Sequence, residues 1–249
     1  MKKILNTPFW LVCLVFVGLI NSCKESKKDA VAEAETVAEV TPENALKSYL
    51  ENGDETFSWV LKDSFNLQGV KAYDLLLTSQ KWREHTWKHQ LTVFVPENIE
   101  FDGSLLFITG GHLKDGEPKW KKMDKEGSET EPMALMAMKN KAITAIVRQV
   151  PMQPLYEGDL VEDQLISFTL HNFKNDKDYT WPLLFPMVKS AVRAMDAVQE
   201  FSQEKLQKKV SRFTVSGASK RGWTTWLTGA SDKRVEAIAP MVIDVLNMP

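Results

Sequence analysis

The apolar and polar positions of this chain fall into three regimes: a mostly apolar leader, a charged stretch without aromatics, and a long remainder in which strand and helix periods alternate. Within the remainder, residues 87–95 (WKHQLTVFV) have a period of two. Trp87, His89, Leu91, Val93 and Val95 share one face and Lys88, Gln90, Thr92 and Phe94 the other, which predicts a strand ending at Pro96. Residues 104–109 (SLLFIT) are a short continuous apolar run closed by Gly110-Gly111, the form of a buried parallel strand. Helical spacing marks 44–52, the Met/Ala/Leu-rich segment 132–141, a segment near 162–173, and 182–207, where Val188, Ala191, Val192, Met195 and Val198 line one face. Mixed short apolar runs fill 57–79. A β-branched run at 142–150, a strand at 209–215, a helix at 220–228 and a strand at 235–243 complete the series. Strands alternating with helices of about ten or more residues predict an α/β fold, a mostly parallel sheet covered by helices on both faces.

The leader adds a location. Lys2 and Lys3 precede residues 9–20 (FWLVCLVFVGLI), a run shorter than the about 20 residues a bilayer span needs and of signal-peptide length. Ile20-Asn21-Ser22-Cys23 resembles the bacterial lipobox, whose cysteine becomes lipidated; a plain secretory signal with an incidental Cys23 is the other reading. The expected organisation is a lipoprotein signal peptide at 1–22, a flexible tether at 23–43 and a domain over 44–249. Lys24 directly after Cys23 is compatible with outer-membrane sorting, so the expected place is the bacterial cell envelope, with a lipid anchor in the membrane. The tether is charged and Ala-rich and buries too little to offset its ordering entropy. Cys13 and Cys23 are the two cysteines of the chain, so the mature domain is expected to hold no disulfide, no Cys-ligated metal and no cysteine nucleophile. A net charge of −2, spread over alternating lysines and acids, argues against nucleic acid as the main partner. No cofactor is expected.

The chemistry gathers at residues 215–222 (VSGASKRG), between an apolar strand and a helix. A serine at such a turn, flanked by small residues, is the nucleophile-elbow context. The bend lifts the Ser219 hydroxyl to the carboxyl edge of the sheet, where a helix N-terminus favours developing negative charge. The backbone N–H of Lys220 is then an oxyanion donor. The string departs from G-x-S-x-G: Arg221 fills the second glycine's place and glycine arrives one residue later, at Gly222. The competing reading is a strand-to-helix turn whose serine caps the helix. Gly110 and Gly111 follow an early strand, which suits either a second oxyanion loop or a simple turn; His112 beside them comes too early in chain order to be the base. His85 and His89 are four apart, but without the glutamate of H-E-x-x-H. On a strand that spacing is about 13 Å, too far to share one ion, so no metal is expected. Trp223 and Trp226 read as core packing rather than a substrate platform. Met133, Met136 and Met138 read as helix filling.

The block VSGASKRGWTTWLTGASDKRVEAIAPMVIDVLNM, the strand WKHQLTVFVP and FITGGH together resemble the PhoPQ-activated pathogenicity-related protein family, from about residue 45 to the last. The resemblance implies an α/β-hydrolase fold and an exported or envelope location, with no defined substrate, and it matches Ser219 to the family's nucleophile position. The G-x-S-K-R-G spacing is also similar to that of carbohydrate-linked glucuronoyl esterases. In this fold the acid and histidine follow the serine, yet no histidine occurs after His171. The expectation is therefore a C-terminally truncated α/β-hydrolase, inactive alone, whose full form cleaves an ester or amide of a small-molecule, peptide or carbohydrate-ester substrate. Asp244, at the end of the last predicted strand, is either a triad acid in an early position or a pocket carboxylate. The alternative function is a non-catalytic, lipid-tethered binding protein on the same scaffold.

Overall fold

The computed structural model describes residues 39–121 and 129–243. The signal peptide at 1–22, the lipidation candidate Cys23, most of the 23–43 tether and the candidate acid Asp244 lie outside the described residues. Thr41 to Asn44 form a turn, fastened by the Thr41 N–H on Asn44 Oδ1 at 2.8 Å, that opens helix α1 (Ala45–Leu50).

Three long strands follow: β1 (Ser58–Leu67), β2 (Val70–Trp82) and β3 (His85–Pro96). After them come β4 (Gly103–Ile108), the two-residue strands β5 (Leu113–Lys114) and β6 (Glu117–Pro118), helix α2 (Thr130–Asn140) and β7 (Thr144–Val147). Helices α3 (Glu162–Asp176) and α4 (Leu184–Phe201), the latter running into a π-helical turn at Ser202–Leu206, lead to β8 (Arg212–Ala218), α5 (Lys220–Ser231) and β9 (Val235–Met241).

The main sheet has the order β1-β2-β3-β7-β4-β8-β9. Its β1–β2, β2–β3 and β3–β7 pairings are antiparallel, and its β7–β4, β4–β8 and β8–β9 pairings are parallel. The sheet is thus mixed, not mostly parallel as the sequence predicts. The cause is local. Gln68 and Gly69 join β1 to β2 with φ of 49° and 79°, a two-residue turn of the kind that only antiparallel neighbours can use. Neither Asn-Gly nor Asp-Gly marks that turn in the sequence.

Helices cover both faces, as expected. On one face α4 lays Met187, Ala191, Met195 and Val198 against Leu91 and Val93 of β3, Leu106 and Ile108 of β4, and Val215 of β8, all fully buried. On the other, Met133, Ala134 and Ala137 of α2 meet Phe94 of β3 and Ile146 of β7, with Leu105 and Phe107 of β4 beside them. Alternate residues of β3, β4 and β7 therefore feed opposite cores, as a period of two requires. Covering both faces buries Gln90 and Thr92 as well. Both hydrogen-bond the Asp74 carboxylate, which satisfies what would otherwise be costly polar burial. Only Met133 of the three methionines of α2 fills the core; Met136 and Met138 are 36% and 41% exposed.

Helix α5 lies on α4 and over β8 and β9. Neither of its tryptophans belongs to the core: Trp223 is half-buried and Trp226 is 44% exposed. The expectation of core packing for this pair is not met among the described residues, where no element covers the outer side of α5.

Candidate active site

Parallel pairing puts the carboxyl ends of β4, β7, β8 and β9 on one edge of the sheet, where ligands of open α/β sheets gather. Ser219 sits there, between the last residue of β8 and the first of α5. Its backbone is held at φ 58° and ψ −124°, a region that L side chains rarely occupy and that costs about 1–3 kcal/mol. Its N–H donates to the Met241 carbonyl at 2.9 Å and its carbonyl accepts the Trp223 N–H at 3.1 Å, so both neighbouring elements pin the bend. The half-buried Ser219 side chain makes no helix-capping hydrogen bond. The helix-cap reading of this serine therefore fails.

Lys220 is the first residue of α5, so its N–H has no acceptor within its own helix. Its ammonium is engaged elsewhere, 3.0 Å from both Glu162 and Asp163. Gly222 explains the shifted glycine of the motif. A Cβ there would run into the Ile243 methyl and come within 2.9 Å of the Met241 carbonyl oxygen, so it is at Gly222 that α5 needs a residue without a side chain in order to cross so close to β9.

The pairing of Ile108 with Gly217 carries Gly110 and Gly111 alongside the serine turn. Their carbonyls are spoken for: Gly110 accepts the Gln149 N–H at 3.2 Å, and Gly111 accepts the Gln153 side-chain amide at 3.3 Å. The structure thus brings Ser219, Lys220, Gly110 and Gly111 to one edge, while Asp244 lies outside the described residues. His112 is exposed, its carbonyl taken by the Lys119 N–H.

Among the described residues no histidine bonds Ser219. His89 is fully buried instead, with Nδ1 donating to the Arg148 carbonyl at 3.0 Å and Nε2 facing the Ser79 hydroxyl at 2.9 Å. Burial drives this imidazole down to about 4 against the pull of its carbonyl partner, so it is neutral at pH 7. It is a buried polar strut, and β3 holds it away from His85.

Sequence reasoning missed Glu162, Gln153 and the Val150 carbonyl. Arg221, next but one to the serine, is only 9% exposed. It gives Nη1 and Nη2 to the two Glu162 oxygens at 2.8 and 2.6 Å, and Nε to the Val150 carbonyl at 2.5 Å. Gln153 donates to Glu162 Oε1 at 2.6 Å and accepts the Glu162 N–H at 2.8 Å. Burial raises the Glu162 carboxyl, but the hydrogen bonds from Arg221 and Gln153, with the charge of Arg221, outweigh it and bring the group down to about 2. The one signal in the sequence was Arg221 itself: a charge in a glycine's place, buried, needs a partner. Nothing in the sequence names that partner, 59 residues away.

Elsewhere, a cavity of about 880 Å³ opens at the opposite edge, between the amino ends of β4, β8 and β9 and the end of α2. It is remote from the serine turn by the length of the strands.

A family model described as PhoPQ-activated pathogenicity-related protein matches residues 46–249. Autocrine proliferation repressor protein A of Dictyostelium discoideum is 33% identical over 213 residues, covering 82% of this chain and 42% of that protein. Among solved structures, acetyl xylan esterase 1 of Thermoanaerobacterium superimposes with a TM-score of 0.52 at 13% identity, over 83% of this chain and 61% of that one. An acetyl xylan esterase of Paenibacillus gives 0.50 at 15%, over 80% and 58%. The chain spans less than half the length of the curated relative and about three fifths of these esterases.

Proposed function

Since the chain belongs to the PhoPQ-activated pathogenicity-related protein family, whose α/β-hydrolase-like scaffold it shares with esterases, we propose that it carries the nucleophile half of an envelope serine hydrolase. Ser219 is the nucleophile at a nucleophile elbow. The reading rests above all on the strained backbone of Ser219, φ 58° and ψ −124°, with a side chain that caps nothing. Strain of this kind persists where the surroundings over-determine it, and it gathers at reactive sites.

In the reaction, Ser219 Oγ adds to the carbonyl carbon of an ester or amide. The oxyanion that forms is held by the Lys220 N–H and by the Gly110–Gly111 loop. Collapse expels the alcohol or amine and leaves an acyl-serine, which water then hydrolyses. The proton of Oγ has to pass to a base, and no histidine follows Ser219 in this sequence. Full activity therefore needs a base other than the four histidines of this sequence. A lipid on Cys23 holds the domain at the membrane surface. The alternative reading is a lipid-tethered binding protein that uses the same scaffold without catalysis.

A fluorophosphonate probe separates the two. The oxyanion donors of a serine hydrolase retain a part of its reactivity when a triad member is lacking, so slow labelling at Ser219, abolished by Ser219→Ala, is the expected result. In that adduct the Oγ–P bond forms as fluoride leaves, with the proton passing to solvent. A folded chain with no adduct at position 219, or one whose labelling survives Ser219→Ala, overturns the nucleophile assignment and leaves the binding reading.

A further inference from the structure

Arg221 stands where an elbow of the G-x-S-x-G form has its second glycine, and its side chain does more than tolerate that place. Its Nε reaches the loop after β7 at the Val150 carbonyl, and its fork closes on Glu162 at the start of α3. A bidentate guanidinium–carboxylate pair fixes distance and plane together. The Glu162 backbone has a φ of 50°, so the carboxylate is presented from a bend that its partners must sustain. Gln153 extends the connection from Glu162 to the Gly111 carbonyl. The guanidinium also packs against Gly110, where a Cβ would sit 2.5 Å from Nη2 and 3.0 Å from Cζ. One side chain, carried by the serine's own helix, therefore touches or ties the loops after β4 and β7 and the start of α3.

We propose that Arg221 is a positioning residue, whose guanidinium, clamped by Glu162 and the Val150 carbonyl, sets the gap between the Ser219 turn and the Gly110–Gly111 loop. The proposal rests on the serine-hydrolase reading above. The oxyanion that forms on Ser219 needs donors from both sides of that gap, and Gly110 is glycine so that the guanidinium can fill the space behind it. Lys220, anchored on the same carboxylate and on Asp163, holds α5 in the matching orientation. The clamp also explains the variant motif: glycine at 221 would keep the bend and lose the spacer.

The test measures the rate of fluorophosphonate labelling at Ser219 alongside the unfolding midpoint, in the full chain. Arg221→Lys keeps the charge but not the fork. It should slow labelling about 10- to 100-fold, the cost of misplacing reacting groups by about an ångström, while the folded population at the assay temperature stays complete. Glu162→Gln should slow it similarly, and Glu162→Asp should recover part of the loss. Gly110→Ala, which pushes on the guanidinium without touching the serine turn, should slow labelling on its own. Combined with Arg221→Ala it should add no further loss, because the added methyl then occupies vacated space. Folded Arg221→Lys and Glu162→Gln proteins that label at the parent rate, or a Gly110→Ala effect that adds in full to that of Arg221→Ala, would overturn the clamp and leave the nucleophile standing. Absence of a Ser219 adduct in the parent chain sinks the nucleophile reading, and the clamp with it.

Discussion

Strands β3 and β9 belong to one sheet and live under different conditions. β3 is hydrogen-bonded on both sides, by β2 and β7, and covered on both faces; Leu91, Val93 and Phe94 are completely buried. β9 has a partner on one side among the described residues. Ala237 and Ala239 are exposed, Met241 is 41% exposed and Val242, just past the strand, is 84% exposed. The deepest packing and the Ser219 turn are therefore sited apart. Fully buried side chains are concentrated in β2, β3, β7, β4 and the helices α2 and α4, whereas the Ser219 turn is hydrogen-bonded to β9, the last strand among the described residues.

The sharpest way to break this contrast is to cut into each side and compare. Trp87→Ala on β3 removes a fully buried indole from the main core and should cost about 3–5 kcal/mol in denaturant unfolding. A loss below about 1 kcal/mol would mean that the β3 region is not the keystone. The next effect is set by pH. His89 titrates at about 4 when folded and near 6.5 when unfolded. Its neutral form stabilises the fold in full above pH 6.5. As pH falls from 6.5 towards 4 the unfolded chain takes up a proton that the folded one refuses, so about 3 kcal/mol is lost over that window. His89→Gln should flatten that part of a stability-versus-pH curve; an unchanged slope would show that the proton is taken up elsewhere. The smallest effect belongs to the flank. Trp226→Ser on α5 should shift stability by no more than about 0.5 kcal/mol, and a cost equal to that of Trp87→Ala would erase the distinction between the two regions.

The sequence was most legible where periodicity and burial agree. Residues 87–95 and 104–109 announce β3 and β4, and the step from strand to serine to helix announces β8, Ser219 and α5, because each depends on neighbours in the chain. The antiparallel start was illegible, since Gln68-Gly69 carries no strong hairpin signature and residues 57–79 lack one clean period. The tryptophans of α5 misled for another reason: their helical spacing shows that a face exists, not that anything lies against it. Glu162 and Gln153 could not be found at all. An ion pair spanning 59 positions depends on the tertiary fold that brings the start of α3 to the start of α5, and pattern alone does not give it.

The amide of Ser219 hangs from the carbonyl of Met241, and Gly222 rests against the same oxygen. The bend that carries the hydroxyl is moored to the last strand of the sheet among the described residues. Hydrogen bonds weaken steeply with small changes in length and angle, so a slight slip of that strand loosens the mooring while the deep core stays unchanged. The turn thereby acts as a gauge of its neighbour: whatever steadies or tugs on β9 is felt at the Ser219 bend before it reaches the deep core.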